Sequence, residues 1–260
     1  MATDIAFAIG ILSLLGNRVP LSLKIFLTAL AVIDDLGAIL IIAIFYTKII
    51  LWSHLAVALG LFALLFILGK YFKVKNLLPF LIGGVFMWYF MLHSGVHATI
   101  TGVLLAFAIP FGSGGKKSTS YILQHILHKP VAFIILPIFA LANTAIVMNG
   151  NLAEVITENY SLGVALGLVV GKPLGIFILT FLVVKIGWCK LPSDMNWKSV
   201  LGVGFLGGIG FTMSIFITLL AFDNSVIINN TKLIIVLSSL IAGVIGFLFL
   251  KATLKQKTEV

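Results

Sequence analysis

The stretch that decides the fold is Ala31-Val32-Ile33-Asp34-Asp35-Leu36-Gly37-Ala38, in which two adjacent carboxylates lie in the middle of an apolar run from Leu21 to Thr47. About 20 apolar residues suffice to cross a bilayer, so this run is long enough to span one. Each aspartate would cost about 2.5–3.5 kcal/mol at the centre of such a helix. Because ordinary packing does not offset that cost, the pair indicates a functional site inside a membrane.

The composition of the whole chain agrees with a membrane location. Of its 260 residues, 61% are hydrophobic and 10% are charged, whereas a soluble domain carries about 25% charged residues. Long, uniformly apolar segments follow one another, which is typical of helices and not of the alternating strands of a barrel. The sequence therefore predicts an all-α polytopic membrane protein. Its one cysteine, Cys189, leaves no partner for an internal disulfide.

We expect a single integral membrane domain over residues 1–260, made of one short apolar segment and eight full spans. The short segment, residues 3–15, cannot span a bilayer alone and predicts half of a broken helix. Pro137 and Pro173 fall inside spans and predict kinks. The full spans are predicted at 21–47, 52–71, 77–92, 95–109, 121–148, 161–186, 201–222 and 231–254.

Basic residues divide unequally when the connecting loops are assigned to alternate sides of the membrane. Of 17 Lys and Arg residues, fourteen fall on one side, Lys48 and Lys232 fall on the other, and Lys172 lies within a span. The positive-inside rule then places the first side and the C-terminus in the cytoplasm. Since the basic residues lie at segment ends and form no single patch, the net charge of +9 does not indicate a nucleic-acid partner.

Four charges cannot be assigned to loops, namely Asp4, Asp34, Asp35 and Lys172. A buried amine either pairs with a carboxylate or loses its proton, so Lys172 is expected to pair with Asp34 or with Asp4. Adjacent residues on a helix point about 100° apart, which favours separate roles for Asp34 and Asp35. A salt bridge that merely locks two helices is the alternative, but three acids against one base leave surplus carboxylate.

The surplus carboxylate suits a small hard cation. Na⁺ and Li⁺ bind oxygen ligands, and Asp34 and Asp35, together with Thr3 or nearby backbone oxygens, would supply them. The same oxygens bind protons. Competition between a metal cation and protons for one site is sufficient for exchange if the site is reached from alternate sides of the membrane.

A second element is the glycine-rich stretch Gly204-Phe205-Leu206-Gly207-Gly208-Ile209-Gly210-Phe211-Thr212-Met213-Ser214. Each glycine destabilises a helix by about 1 kcal/mol, so the sequence allows either an unwound segment or close glycine-mediated packing. If the helix is unwound, Asp4 and Lys172 have the signs needed to neutralise the half-helix ends. The short segment at 3–15 and this span could be matching broken helices, as in inverted-repeat transporters.

Two other chemistries are disfavoured. His93 and His97 are four residues apart and could share a helix face, but the sequence offers no further ligands for a metal site. An intramembrane aspartyl protease needs two aspartates on different helices. Asp34 and Asp35 are adjacent, and no Gly-x-Gly-Asp motif is present.

Five motifs, in order along nearly the whole chain, resemble the NhaA-type Na⁺/H⁺ antiporters. They are Thr3-Asp4-Ile5-Ala6-Phe7-Ala8, Ile33-Asp34-Asp35-Leu36-Gly37-Ala38, His93-Ser94-Gly95-Val96-His97-Ala98-Thr99, Gly171-Lys172-Pro173-Leu174-Gly175 and the run from Gly207 to Ile217. The resemblance implies an inverted-repeat fold with two discontinuous helices that cross at mid-membrane. It implies that Gly207, Gly208 and Gly210 belong to an unwound helix.

The same resemblance implies the roles of the charged residues. Asp34 and Asp35 would bind Na⁺ and protons, and Asp4 and Lys172 would compensate the half-helix dipoles. Lys172 would pair with Asp34 in the proton-loaded or resting state. Transport would be electrogenic, with more protons entering than sodium ions leaving, and inhibited at acid pH. The implied protein is a transporter of the cell inner membrane serving sodium and pH homeostasis, and neither an enzyme nor a cofactor-dependent protein.

Two departures from the family pattern qualify these expectations. Family members carry several spans before the Thr-Asp motif, so we expect an N-terminally truncated fold. A truncated, non-transporting remnant or one part of a split transporter is therefore the alternative function. The expected partners are the bilayer and a second copy in a homodimer, although the hairpin that usually forms the dimer would be missing. Residues 111–130 lack the acids of well-studied members, with Gln124 at one such position, so acid-based pH sensing is not expected there.

Overall fold

The computed structural model describes residues 2–47, 50–112, 115, 116, 118–144 and 152–254. These residues are helical, with short connections and two internal π-helical segments. The helices are α1 (Ile5–Ser13), α2 (Leu21–Phe45), α3 (Trp52–Lys70), α4 (Leu78–His93), α5 (Thr99–Ala108), α6 (Thr119–Pro130), α7 (Leu136–Thr144), α8 (Leu152–Thr157), α9 (Asn159–Leu166), α10 (Lys172–Ile186), α11 (Trp197–Gly207), α12 (Phe211–Ala221) and α13 (Ser225–Thr253).

The chain divides into two compact units. The single membrane domain expected over residues 1–260 stays a prediction. Unit 1 comprises Met1–Ala38 and Asn143–Val260, and unit 2 comprises Ile39–Ala142. All residues proposed from the sequence to bind or compensate charge belong to unit 1.

The core of unit 1 is formed where α11 packs against α10 and α13. Leu23, Leu27, Leu206 and Leu250 are fully or almost fully buried in this core. Gly204 lies against the backbone of Pro173, so α11 and α10 approach closely at this point. This close packing places the start of α10 alongside α11 and so positions the site described below.

Unit 2 is built on the helix hairpin of α3 and α4, with α5 packed against both. Ala58, Met87 and Met91 are buried in one apolar cluster, and Leu65 and Phe80 in another. The helix ends away from the α3–α4 connection are joined by a backbone hydrogen bond in which the Leu51 N–H donates to the Ser94 carbonyl at 2.9 Å.

Five of the described helical segments are long and apolar enough to cross a membrane: Leu21–Phe45, Trp52–Lys70, Thr119–Thr144, Asn159–Ile186 and Ser225–Thr253. The pair α11 and α12 becomes a sixth if its two halves are counted as one span, bent by 49° at the break. Helices α4 and α5 are apolar but shorter. The protein is therefore a multi-pass, all-α membrane protein. Part of the span predicted at 121–148 lies outside the described residues.

Several helices begin earlier than the sequence predicts, because polar residues cap them. Asn196 accepts a hydrogen bond from the Ser199 N–H at 2.7 Å, so α11 begins at Trp197 and not at Leu201. Asn224 accepts from the Val226 N–H at 2.9 Å and starts α13 at Ser225. The opposite error occurs before α5: the turn after His93 delays this helix to Thr99, where the sequence predicts residue 95.

The earlier start of α13 changes the position of one basic residue. The sequence places Lys232 at the start of the span predicted at 231–254, on the side opposite the cytoplasm. In the structure Lys232 lies inside α13 and is 8% exposed. A lysine in the second turn of a helix near its end still counts toward the charge of that side, so the unequal division of basic residues is unchanged.

Two of the prolines inside spans, Pro137 and Pro173, share one local arrangement. Each is preceded by a π-helical segment that ends two residues before it, Val131–Ile135 before Pro137 and Gly167–Gly171 before Pro173. Proline cannot donate the hydrogen bond of a regular helix and clashes with the carbonyl four residues earlier. The wider π turns contain those carbonyls and accommodate the prolines within continuous helical segments.

Candidate functional site: a helix break with buried charges

The glycine-rich stretch contains a break between two half-helices. Helix α11 ends at Gly207, residues Gly208, Ile209 and Gly210 form the connection, and α12 begins at Phe211. The resemblance implies that Gly207 belongs to the unwound part, but Gly207 is the last residue of α11. Its carbonyl is free of the intrahelical ladder, as expected at a helix C-terminus, and it accepts hydrogen bonds from outside the helix.

The glycines of the break are also points of close approach. A Cβ atom at Gly208 would overlap the backbone oxygen of Leu168, and one at Gly210 would overlap the hydroxyl of Ser214. The two interpretations left open by the sequence, an unwound segment and close packing, therefore both hold here. The chain is unwound, and side chains at these positions would prevent the packing.

An extended segment before α1 crosses the break. The Asp4 N–H donates to the Ile209 carbonyl at 2.6 Å, and Ala2 and Thr3 are fully buried. On the other side of the break, the Gly210 N–H donates to the Ser239 hydroxyl of α13 at 3.2 Å. The unwound backbone is thus supplied with protein partners, as an interior without water requires.

Asp4 caps two helices with one carboxylate. Its Oδ1 accepts from the Phe7 N–H of α1 at 3.2 Å. Its Oδ2 accepts from the Thr212 N–H of α12 at 3.1 Å and from the Thr212 hydroxyl at 2.6 Å. A helix N-terminus carries partial positive charge, so a carboxylate is the favourable group at this place. Asp4 is 3% exposed.

Lys172 lies at the opposite kind of helix end. Its ammonium donates to the Gly207 carbonyl at 2.9 Å and to the Thr3 hydroxyl at 2.6 Å. It also forms an ion pair with Asp34, with 2.6 Å between Nζ and Oδ2. Of the two partners that the sequence leaves open for Lys172, the structure has Asp34. A cation next to the C-terminal carbonyl of α11 is favourable because that end is partially negative.

Thr3 connects these groups. Its hydroxyl lies 2.9 Å from both the Asp34 Oδ2 and the Gly207 carbonyl oxygen, and it can donate to either. Three oxygen atoms, from a carboxylate, a hydroxyl and a backbone carbonyl, therefore surround the Lys172 ammonium. The three hydrogens of a lysine ammonium match this set of acceptors.

Asp35 is not part of this set. Its Oδ1 is buried and has no hydrogen-bond partner among the described residues. Since Asp34 and Asp35 are adjacent on α2, they point in different directions, as the helix geometry requires. The structure thus brings Thr3, Asp34 and Lys172 together. The adjacent carboxylate of Asp35 has a buried oxygen that accepts no hydrogen bond from a described residue.

A cavity of about 510 Å³ gives access to the paired groups. Asp34 and Lys172 line it together with residues of α2, α10 and the π-helical segment before α10. Lys172 is 13% exposed and Asp34 is 30% exposed. The ion pair therefore lies on the wall of a cavity and is not enclosed on all sides.

The sequence did not single out two residues that the break depends on. Thr212 bonds Asp4 with both its N–H and its hydroxyl, and Ser239 accepts from the break. Hydroxyl residues are common in membrane helices and carry no charge, so composition gives no signal for them. The position of Thr212, two residues after Gly210, is a capping signal that could have indicated it.

No group of three or more His, Cys, Asp or Glu side chains able to hold a metal ion occurs in the part of the chain that the structure describes. Na⁺ ligation by Asp34 and Asp35 therefore stays a prediction from the chemistry of the two carboxylates. The pairing of His93 with His97 on one helix face is wrong, because His93 ends α4 and His97 lies beyond it.

The fold and the site together define a polytopic membrane protein with a broken helix and buried charges of both signs, an architecture that is also found in ion-coupled secondary transporters. A family model described as Na⁺/H⁺ antiporter 1 matches residues 1–250. The chain therefore belongs to the Na⁺/H⁺ antiporter 1 family.

Named relatives agree with the family. The Na⁺/H⁺ antiporter NhaA of Flavobacterium psychrophilum is 73% identical over 256 residues, which are 98% of this chain and 66% of the relative. The protein of the same name from Cytophaga hutchinsonii is 63% identical, with the same coverage of both chains. That from Dechloromonas aromatica is 61% identical over 96% of this chain and 65% of its own length. The chain thus spans slightly less than two thirds of these relatives.

Proposed function

We propose that the protein exchanges Na⁺ or Li⁺ for protons across the membrane. One observation carries this proposal: the Lys172 ammonium is held by three oxygens, from Asp34, Thr3 and Gly207, while Asp35 beside them has a buried oxygen without a described partner. A monovalent cation already occupies an oxygen-lined position in the form of the ammonium. Hard alkali cations favour the same oxygen ligands.

The exchange would follow from competition for these oxygens. When Na⁺ enters, it takes Asp34, Asp35 and Thr3 as ligands, Asp35 releases its proton, and the Lys172 ammonium leaves Asp34 and releases a proton too. When Na⁺ leaves, one proton returns to Asp35 and one to Lys172, and the ion pair between the Lys172 ammonium and the Asp34 carboxylate forms again. When both carboxylates are ionised, they outnumber the one base, so the site has a net negative charge. A cation in a medium of low dielectric constant needs such a charge to compensate its own.

The helix break would keep this site stable during exchange. Asp4 lies at the partially positive starts of α1 and α12, and Lys172 lies at the partially negative end of α11. We propose that these two residues compensate the half-helix charges. The segment from Thr3 to Ser13 and the pair α11 and α12 would then be corresponding broken helices of an inverted repeat.

We place the protein in the cell inner membrane with its C-terminus in the cytoplasm, because most Lys and Arg residues fall on that side. As a transporter it would act without a cofactor and would not be an enzyme. Its partners would be the bilayer and a second copy in a homodimer.

A second candidate follows from the length of the relatives. Because the chain spans slightly less than two thirds of them, it could be a remnant that does not transport, or one part of a split transporter. A remnant would retain the site without alternating access to it, and one part of a split transporter would need its other part for that access.

Reconstitution into proteoliposomes with a pH-sensitive dye separates these candidates. With an imposed pH gradient, addition of Na⁺ or Li⁺ should collapse the gradient if the protein is an antiporter. Asp34→Asn and Asp35→Asn should each abolish the response, and Lys172→Ala should weaken ion affinity or stability without necessarily abolishing exchange. The control is Asp194→Asn, a carboxylate in an exposed turn, which should behave like the wild type.

Correctly inserted protein that gives no collapse with either cation would refute antiport by this chain and favour the second candidate. A response that persists unchanged in Asp35→Asn would contradict the role given to the free carboxylate.

A further inference from the structure

Two histidines of unit 2 are brought together by the ends of neighbouring helices. His54 lies in the first turn of α3, and His93 is the last residue of α4. The backbone hydrogen bond from Leu51 to Ser94 joins these two helix ends. The two imidazoles are therefore held near each other by the backbone and not by flexible loops.

The ring geometry leaves one nitrogen of each imidazole available. The ring centroids are 6.2 Å apart, with an angle of 26° between the planes. The Nδ1 atom of His93 lies 2.9 Å from the Tyr89 carbonyl oxygen. A carbonyl only accepts, so this nitrogen carries the hydrogen, and Nε2 of the neutral ring keeps its lone pair. The Nδ1 atom of His54 lies 3.4 Å from the Ser53 hydroxyl. This hydroxyl can accept from the Nδ1–H tautomer of His54, in which Nε2 keeps its lone pair.

We propose that His54 and His93 form a two-histidine site for a divalent transition-metal ion such as Zn²⁺ or Cu²⁺. Neutral imidazole nitrogen is a preferred ligand of both metals. A histidine that binds metal through one nitrogen commonly donates its other N–H to a backbone carbonyl, which is the arrangement of His93 and Tyr89. No third His, Cys, Asp or Glu completes a cluster in the described part of the chain, so water would fill the remaining positions.

The site is remote from the carboxylates proposed to bind Na⁺ in sequence and in chemistry. The site lies at the N-terminal end of α3, and Lys70 lies at the other end. The distribution of basic residues assigns Lys70 to the cytoplasmic side, so the site is on the opposite side of the membrane. Bound metal would join α3 to α4 and stabilise their contact. The proposal does not depend on whether the protein transports ions.

Simple aromatic packing is the competing explanation for this pair. His54 also contacts the ring of Phe90, with centroids 6.1 Å apart, and His93 contacts the ring of Tyr89 at 4.3 Å. Packing alone predicts no metal binding. The chain offers a matched control, because His125 stacks on Tyr121 with the same 6.2 Å between centroids but with no imidazole as its partner in that stack.

The test is calorimetric titration of the purified chain, without a histidine tag, with ZnCl₂. Wild-type protein should bind one Zn²⁺ at this site. His54→Gln and His93→Gln should each weaken binding at least tenfold, since removal of either ligand leaves a single imidazole. His125→Gln and His97→Gln should retain wild-type affinity. Thermal unfolding without metal confirms that each variant is folded, and a variant that does not fold is replaced by the corresponding alanine substitution.

Electron paramagnetic resonance of bound Cu²⁺ gives an independent count of ligands. The wild-type spectrum should show hyperfine coupling to two nitrogens, and the spectrum of His93→Gln to one. Unchanged Zn²⁺ affinity in both single variants, or loss of binding in His125→Gln or His97→Gln, would overturn the proposal. So would a Cu²⁺ spectrum in the wild type with fewer than two coupled nitrogens.

Discussion

In α4, Gly83 and Gly84 lie within an unbroken helix of 16 residues, whereas Gly208 and Gly210 lie in a break that bends α11 against α12 by 49°. Both pairs are points of close approach. A Cβ at Gly83 or Gly84 would meet the side-chain ends of Leu65 or Leu105, while one at Gly208 would meet a backbone oxygen. The two glycine pairs differ in the chemical groups that surround them.

The glycines of α4 face the leucine side chains of α3 and α5, which offer no partner for a free backbone group, so the helix must keep its own hydrogen bonds. The break in unit 1 is surrounded by Asp4, Ser239 and Lys172, which bond the backbone groups of Ile209, Gly210 and Gly207 and the start of α12. The comparison teaches that glycine permits a break, and that polar partners determine whether one occurs.

The largest loss of stability is expected when Asp4, which caps both α1 and α12, is removed. Asp4→Ala should lower the free energy of unfolding by about 3–4 kcal/mol, because each lost N-cap costs up to about 2 kcal/mol. The matched control is Asn224→Ala, which removes the cap of α13 alone and should cost about 1 kcal/mol. Unfolding in mixed micelles by SDS titration measures both. Equal losses in the two variants would mean that the shared cap has no special weight.

The next test compares the glycines themselves. Gly208→Ala should cost about 2–3 kcal/mol, since the backbone oxygen of Leu168 cannot move aside without disturbing the π-helical segment. Gly84→Ala should cost about 1 kcal/mol or less, because the Leu105 side chain can rotate away. The same titration applies. A larger loss for Gly84→Ala would contradict the distinction between backbone and side-chain contacts.

The smallest effect is expected at Ser239. Ser239→Ala leaves the buried Gly210 N–H without its acceptor, which should cost about 1 kcal/mol. Hydrogen–deuterium exchange of a peptide covering residues 208–212 should accelerate. Ser238→Ala, at the neighbouring buried position of α13, is the control and should leave exchange in that peptide unchanged. Acceleration in both variants would indicate general loosening of α13.

The sequence was sufficient to identify the charged residues of the site. Asp4, Asp34, Asp35 and Lys172 stand out because a charge within a long apolar run is costly and therefore rare. The same reasoning left two partners open for Lys172, since charge alone does not fix which acid lies within reach. The side-chain direction of Asp34 relative to α10 depends on helix packing, which a single sequence does not encode locally.

Other features followed from contacts that hydropathy does not record. Helices α11 and α13 begin four and six residues before the predicted positions. Asn196 and Asn224 cap an additional, more polar first turn in front of each apolar run. The prolines predicted kinks, but the π-helical segments before Pro137 and Pro173 were not foreseen. The proximity of His54 to His93 depends on the pairing of α3 with α4 over almost 40 residues of sequence.

The double cap made by Asp4 has a consequence for motion. Helices α1 and α12 start at the same carboxylate. Neither helix start can therefore shift far without breaking the hydrogen bonds between Asp4 and the other helix. The two half-helices are therefore expected to move as one rigid piece, pivoting about Asp4. Conformational freedom would remain at the far side of the break, where Lys172 holds Gly207 by a side chain that can rotate.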